Sequence, residues 1–249
     1  LKDSNTITND TNQPSLVTSK PKFDTTPLNK LKKVSQLDIR HPVRQWVSKR
    51  HIPSNQHYRL YYAPQFKKWV NTVLPNKFES LANDEPRLII PMFDYDGKMF
   101  GFQGRSFHNK TDLRYITILL DDSYGKLYGL DQVDTTTTVY CVEGPIDSLF
   151  VDNCIASAGG DIINDLELLD CDKSNVVVVY DNEPRNVDTI TKIEKAIDSE
   201  YNVAIWPDDI NEKDVNDMVI AGYDVQYILH KNIFKGLQAK LRMMEWKKI

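Results

Sequence analysis

The sequence predicts an α/β protein in which a basic α+β amino-terminal part precedes a parallel sheet with flanking helices. Apolar, β-branched runs at residues 139–142 and 176–180 are typical of buried strands, and helix-like segments lie between them. Upstream, residues 87–120 alternate apolar runs with turn signals, which is typical of an antiparallel sheet. The two patterns follow one another along the chain, so the predicted sheets are separate.

The first 27 residues are rich in Ser, Thr, Asn, Asp and Pro and have almost no aromatic side chains. This composition predicts a flexible tail or linker. Pattern and charge divide the remaining chain into three parts. The predicted boundaries are residues 28–135 for a basic subdomain, 136–222 for the parallel-sheet domain and 223–249 for a carboxy-terminal helical segment with an apolar stripe.

The net charge of −4 hides an uneven distribution. Residues 28–130 hold 17 Lys and Arg against 9 Asp and Glu, whereas residues 139–249 hold 11 against 21. A basic half beside an acidic half suits a nucleic-acid enzyme, because one half would hold a polyanion and the other would collect cations. Ordinary variation of surface charge is the alternative explanation.

Residues 26–69 are predicted to be mostly helical. One helix starts near Pro42 and turns Val43 and Val47 to its apolar face, with Arg50 on the outer side. The aromatic and basic residues that follow fit either single-stranded nucleic acid binding by stacking or an aromatic core.

Residues 87–94 are predicted to form a strand that turns at residues 95–98. Asp-Gly within this turn is a strong hairpin signal, and residues 99–107 form the returning strand. Residues 113–120 are predicted to form another strand.

Each predicted strand of the second half leads into acidic residues. Glu143 follows the first strand and Asp181 the second, and a shorter strand at residues 203–206 leads to Asp214 and Asp217. Because parallel strands end at one edge of a sheet, these acids should converge there. Oxygen ligands without His or Cys suit Mg²⁺ or Mn²⁺ and not zinc. Acidic loops without a ligand are the alternative.

Three signatures in this half resemble those of the Toprim domain, a Rossmann-like metal-binding domain of bacterial-type primases, several topoisomerases and some nucleases. They are Glu143–Gly144, Asp181-x-Glu183 and the run from Lys213 to Asp217. The usual middle signature is Asp-x-Asp, so Glu183 is a departure. The resemblance implies catalytic roles for the acids of the first two signatures, and metal-binding roles for Glu143, Asp181, Glu183, Asp214 and Asp217.

The upstream block resembles the amino-terminal half of the RNA-polymerase core of DnaG-type primases. It carries the Asp-x-x-Gly turn at residues 94–97, a Gly-Phe-x-Gly-Arg segment at 101–105, a basic-Tyr pair at 114–115 and Leu-Tyr-Gly-Leu at 127–130. The match spans about residues 38–223, in the right order. Topoisomerases lack this block, so the chain is most similar to primases, in particular the compact primases of large tailed phages.

This resemblance implies a DNA primase, which synthesises short RNA primers on single-stranded DNA by metal-dependent nucleotidyl transfer during DNA replication. The implied cofactor is Mg²⁺, with Mn²⁺ as a substitute. The implied partners are a single-stranded DNA template, ribonucleoside triphosphates and a replicative helicase. The residues implied to contact template or nucleotide phosphates are Arg87, Arg105, Arg114, Lys126 and Lys213.

The three cysteines are unclustered and form no Cys-x-x-Cys pair, so the sequence predicts no zinc ribbon and no zinc in this chain. Bacterial-type primases usually begin with such a ribbon. Unpaired cysteines also favour a reducing compartment. There is no apolar run of transmembrane length and no signal-peptide pattern. We therefore expect no membrane partner and a cytoplasmic location, in the host if a phage encodes the chain.

Two alternatives stay open. A Toprim-type metal-dependent nuclease or strand-cleaving enzyme would use the same acids without nucleoside triphosphates, although Tyr180 ends a buried strand and is a poor candidate for a cleavage nucleophile. A non-catalytic nucleic-acid-binding relic would fit the altered signature at Glu183. The intact third signature argues against that relic.

Overall fold

The computed structural model describes residues 26–108 and 113–249. The predicted tail lies outside these residues except at its last two positions. The described chain forms two β-sheets with helices packed on them. This architecture confirms the predicted α/β class.

The first sheet contains five antiparallel strands in the order β1-β2-β3-β4-β5. The strands are β1 (Lys32–Lys33), β2 (Tyr61–Ala63), β3 (Arg87–Phe93), β4 (Met99–Ser106) and β5 (Tyr115–Leu119). The predicted hairpin between β3 and β4 is confirmed. Asp94 closes it by accepting the Lys98 N–H at 2.8 Å, and Gly97 adopts a positive φ of 76° that an L side chain would disfavour.

Two helices accompany this sheet, α1 (Pro42–Lys49) and α2 (Phe66–Val73). The His41 ring nitrogen accepts the Val43 N–H at 3.2 Å and so caps α1. The predicted start of α1 and the burial of Val43 and Val47 are confirmed. The prediction of a mostly helical region was wrong for β1 and β2, which pair with each other and extend the sheet. Local pattern could not reveal a pairing across so many intervening residues.

The second sheet has six strands in the order β11-β10-β9-β7-β8-β6. The strands are β6 (Leu127–Tyr128), β7 (Val139–Val142), β8 (Cys154–Ser157), β9 (Val176–Val179), β10 (Asn202–Ala204) and β11 (Ile233–Phe234). The four central strands are parallel, as predicted, and the two outer strands are antiparallel to their neighbours. Both outer strands come from outside residues 136–222, the range predicted for this domain.

Five helices accompany the second sheet: α3 (Ile162–Leu166), α4 (Val187–Asp198), α5 (Val215–Ala221), α6 (Val225–Lys231) and α7 (Gly236–Trp246). The predicted apolar stripe of the carboxy-terminal segment was wrong in α7. Leu237 and Leu241 are 74% and 58% exposed, whereas Met243 and Trp246 are buried. The reason is that β11 interrupts the helical segment and resets the helical phase. None of the described helices is both long and apolar enough to cross a bilayer.

The two sheets share one hydrophobic core. On β3, Leu88 and Ile90 belong to the same buried cluster as Val142 and Val179 of the second sheet. Ile89 points the other way, into a smaller cluster with Phe66 of α2. Because β3 is buried on both faces, it fixes the first sheet against the second. This contact places the basic half beside the acidic strand ends.

Candidate active site

A cavity of about 550 Å³ lies at the carboxyl ends of β7 and β9. Val142 pairs with Val179 in the parallel register, so Glu143 and Asp181 leave the sheet next to each other. Basic residues of both halves reach the same cavity. Its charged lining residues are Arg50, Arg114, Glu143, Asp147, Asp181, Lys213, Asp214 and Asp217.

Glu143 is partly buried and faces a lysine. Burial raises the pKa of Glu143, and the nearby Lys192 ammonium lowers it in part. Lys192 Nζ lies 3.6 Å from Glu143 Oε1 and 3.0 Å from Asp188, one turn earlier on α4. That Oε1 is shielded from solvent and has no hydrogen-bond partner. A shielded carboxylate oxygen without a hydrogen bond is a favourable ligand for a cation.

Asp181 is partly buried and lies among other carboxylates. Burial and then the neighbouring carboxylates of Glu143 and Asp214 raise the pKa of Asp181 to about 7. Lys213 partly compensates, since its Nζ lies 3.7 Å from Asp181 and 3.0 Å from Glu183. Lys213, predicted to bind phosphate, therefore bridges two acids in this structure.

Glu183 lies apart from the other predicted ligands. It lines a neighbouring cavity of about 730 Å³, together with Arg185 and Lys248. The Lys213 ammonium lies between Glu183, in this cavity, and Asp181, in the first one, and pairs with both carboxylates. The structure thus brings Glu143, Asp181, Asp214 and Asp217 to one cavity, with Glu183 at its edge.

The third signature forms the start of α5. Asp214 caps this helix, because its side chain accepts the Asp217 N–H at 2.7 Å. Asn216 is only 1% exposed and exchanges two hydrogen bonds with Arg50, each of 2.7 Å. Asn216 also donates its backbone N–H to Asp147 at 3.0 Å. The end of α1 is thereby fixed to the acidic strand ends.

Arg50 and Asp147 are the residues whose importance the sequence understated. Arg50 was predicted on the outer side of α1, but it lies past the last turn, where His51 takes a positive φ of 57° and turns the chain. The sequence offers Asp147 as a weaker candidate for the site, with a helix-cap acid as an equally good alternative. Burial and the charge of Asp214 raise its pKa to about 8. The position of Asp147, two residues after Pro145 at the predicted helix start, was the available signal for it.

The raised pKa of Asp147 makes stability depend on pH. The folded protein holds this proton up to about pH 8, whereas an unfolded chain releases it near pH 4. Stability contributed by the neutral acid is therefore lost as pH rises between these values. We expect Asp147→Asn to raise the melting temperature at pH 8 by roughly 2–4 °C and to have little effect at pH 4. Differential scanning calorimetry across this range would measure it, and an equal shift at both pH values would contradict it.

The carboxylates suit a divalent metal, although they are not pre-arranged around one. Among residues 26–108 and 113–249, no three His, Cys, Asp or Glu side chains already lie close enough to ligate a single ion. Lysine ammonium groups lie between the acids instead. The donors are all oxygen atoms, and one of them, Glu143 Oε1, has no hydrogen-bond partner. Burial, followed by the neighbouring carboxylates, raises the pKa of Asp181. An ion such as Mg²⁺ or Mn²⁺ would relieve the repulsion among these carboxylates.

The predicted phosphate-binding residues divide into exposed and buried groups. Arg114 is exposed and lines the cavity. Lys126 is exposed and lies over Gly159, where any side chain would collide with it. Arg87 and Arg105, which were also predicted to contact phosphates, are both buried in this structure. Arg87 donates to the Leu113 carbonyl at 2.8 Å.

Arg105 has an internal role in place of the predicted phosphate contact. It is 1% exposed and donates to the Ser106 carbonyl. Its guanidinium carbon lies 4.8 Å from the ring centre of Tyr115 and 5.5 Å from that of Trp46. These contacts hold the wall of the first sheet that faces the cavity.

We compared the chain with known proteins. No family model matches it. It is 37% identical over 214 residues to the DNA primase of enterobacteria phage T4, a match that covers 84% of this chain and 61% of that protein. A DNA primase domain from Pseudomonas aeruginosa superposes with a TM-score of 0.60 at 16% identity, over 82% of this chain and 76% of that one. A DnaG primase catalytic domain bound to single-stranded DNA superposes with a TM-score of 0.56 at 19% identity, over 87% of this chain and 75% of that one.

The two kinds of match agree with the geometry. The sequence match covers most of the chain, which spans about 61% of the length of the phage protein. The structural matches show that this chain shares the fold of primase catalytic domains. This chain is therefore homologous to the phage T4 DNA primase and has the fold of DnaG primase catalytic cores.

Proposed function

We propose that this chain is the catalytic portion of a DNA primase, which synthesises RNA primers on single-stranded DNA by metal-dependent nucleotidyl transfer. The observation that carries the proposal is the cavity in which acids from strand ends of the second sheet face Arg50 and Arg114 of the basic half. A polymerase needs both kinds of side chain, because acidic residues hold cations and basic residues hold phosphates.

The roles follow from position. Glu143, Asp181 and Asp214 would hold divalent ions, with Glu183 and Asp217 as further ligands. Ions held there would lower the pKa of an attacking 3′-hydroxyl and neutralise charge on the triphosphate. Lys213 and Lys192 lie beside these carboxylates, and their ammonium groups would be available to a phosphate.

Partners are assigned on the same basis. A DnaG catalytic domain has been solved with single-stranded DNA, which supports a single-stranded template here. Ribonucleoside triphosphates would enter the cavity beside Arg114, and a replicative helicase would supply the template. Similarity to a phage protein supports action in the cytoplasm of a host cell.

The deciding experiment offers single-stranded DNA and labelled ribonucleotides with Mg²⁺ or Mn²⁺. Short RNA products that disappear with a chelator and return with added metal would support the proposal. Metal-dependent cutting of the DNA without nucleotides would establish the nuclease alternative. If neither occurs, a template that already carries a primer separates the remaining cases, because a primase core that cannot initiate alone would still extend it and a binding relic would not.

The exposed Arg114 supplies a test of the phosphate contact. Removing one lysine or arginine that contacts phosphate weakens binding to all sequences and reduces the salt dependence by about one unit in slope. We expect Arg114→Ala to behave in this way when single-stranded DNA binding is titrated by fluorescence anisotropy at several salt concentrations. Arg242→Ala is the matched control, since Arg242 is an exposed arginine of α7 that pairs with Glu245. Equal effects of both variants would contradict the assignment.

A further inference from the structure

Asn182 lies between two of the predicted ligands, and all polar groups of its side chain are in use. Its Nδ2 donates to the carbonyls of Ile210 at 3.0 Å and Glu212 at 3.1 Å. Its Oδ1 accepts the indole N–H of Trp246 at 3.0 Å. Both donors of the amide and its oxygen therefore have partners.

The backbone of Asn182 adds a further contact to the same loop. Its N–H donates to the carbonyl of Lys213 at 2.6 Å. Ile210 and Glu212 lie in the segment that leads into the third signature, and Lys213 is the first residue of that signature. One residue thus holds the loop after β9 and the loop before α5 at a fixed separation. These are the loops that carry Asp181 and Asp214.

The carboxy-terminal helix completes this arrangement from outside the sheet. Trp246 is buried at the last turn of α7, and its indole is directed at the Asn182 amide. Two residues later, the Lys248 N–H donates to the Pro184 carbonyl at 2.8 Å. The chain end therefore contacts the middle signature on both sides of Glu183.

We propose that Asn182 is a positioning residue of the metal site and that Trp246 holds it in place. The inference rests on the proposed function only in taking Asp181 and Asp214 as ligands of one metal site. Asp181 and Asp214 are two acids that line one cavity, so a direct link between their loops would keep them close together before an ion binds. Asn182 supplies this link, and α7 supports the metal site through the hydrogen bond from Trp246 to Asn182.

The test measures Mn²⁺ binding directly, by the electron paramagnetic resonance signal of free Mn²⁺ in a titration without nucleotides or DNA. Loss of a group that orients a metal ligand costs about 10–100-fold in affinity. We expect about a tenfold loss for Asn182→Ala. For Trp246→Phe, which keeps a packed ring and removes only the N–H, we expect a smaller loss of about threefold.

Trp69→Phe is the matched control, because Trp69 is also buried and donates its indole N–H to a carbonyl, that of Pro27 at 3.3 Å. Trp69 packs on the first sheet, away from the cavity. It should lose similar stability in thermal unfolding and keep its Mn²⁺ affinity. A loss of affinity in all three variants would indicate general destabilisation and overturn the proposal.

The remaining outcomes separate this proposal from the proposed function. If Asn182→Ala is folded and binds Mn²⁺ as tightly as the wild type, Asn182 does not position the site, whatever the protein synthesises. If the wild type binds no Mn²⁺, the metal site itself is absent and the proposal falls with it. If affinities change as expected but no RNA is made, the positioning role stands and the primase assignment fails.

Discussion

Primer synthesis by an Asp181→Ala variant is expected to fall by about 10³-fold, close to the limit of detection. Loss of one preorganised charge-stabilising group in an enzyme site typically costs 10²–10³-fold, and a metal ligand also determines whether the ion is held. Asp181 lies at the centre of the acidic cluster, beside both Glu143 and Asp214. Incorporation of labelled ribonucleotide on single-stranded DNA would measure the loss.

The same variant should not lose stability. At pH 8 the wild type carries an ionised, partly buried carboxylate, whose pKa is raised to about 7 by burial and by the neighbouring carboxylates. Removing it therefore removes both the desolvation cost and the repulsion. Asp209→Ala is the control, because Asp209 is an exposed acid in the loop after β10 and lies outside the cavity lining. An active Asp181→Ala protein, or one that fails to fold, would contradict this account.

Asn216→Ala should combine a loss of activity with a loss of stability. It removes two hydrogen bonds with Arg50 and leaves buried polar groups without partners, which typically costs about 1–3 kcal/mol. It also frees the end of α1 from the acidic strand ends. We expect primer synthesis to fall about 10–100-fold, as when a group that orients metal ligands is lost.

Asn202→Ala is the matched control, because it removes the same kind of hydrogen-bonded side-chain amide at the other end of the sheet. Asn202 begins β10, and its side chain donates to the carbonyls of Ser174 at 2.8 Å and Val176 at 3.1 Å. Denaturant unfolding should show a similar loss of stability for both variants, with primer synthesis retained only by Asn202→Ala. Equal activity of the two would mean that the Arg50–Asn216 pair serves the fold alone.

The convergence of Glu143, Asp181 and Asp214 was predictable because it depends on local pattern. An apolar run predicts a parallel strand, and a parallel sheet then places the segments that follow its strands at a common edge. Asp214 lies on such a segment, ten residues after β10 ends. The hairpin at Asp94 was predictable for the same reason, since Asp-Gly requires little beyond the turn itself.

The contacts that complete the site could not be predicted, because they join residues distant in sequence. Arg50 reaches Asn216 across 166 positions, and no pattern in either segment indicates the other. Arg105 matched a primase segment but lies between aromatic rings on β4. Every residue of β4 is buried, and the motif does not indicate how much of the strand other elements cover. The predicted apolar stripe was wrong in α7 because the two-residue strand β11 precedes the helix and shifts its helical phase.

The outer strands of the second sheet have a consequence for how this protein can be divided. Leu127–Tyr128 and Ile233–Phe234 cover the edges of β8 and β10. A fragment limited to residues 136–222 would expose two bare strand edges, which readily recruit other chains and aggregate. Truncation for biophysical work, or exchange of this unit between proteins during evolution, would therefore need to retain residues from at least 127 to 234. The sheet is complete as a unit only when β6 and β11, which lie outside residues 136–222, are kept with it.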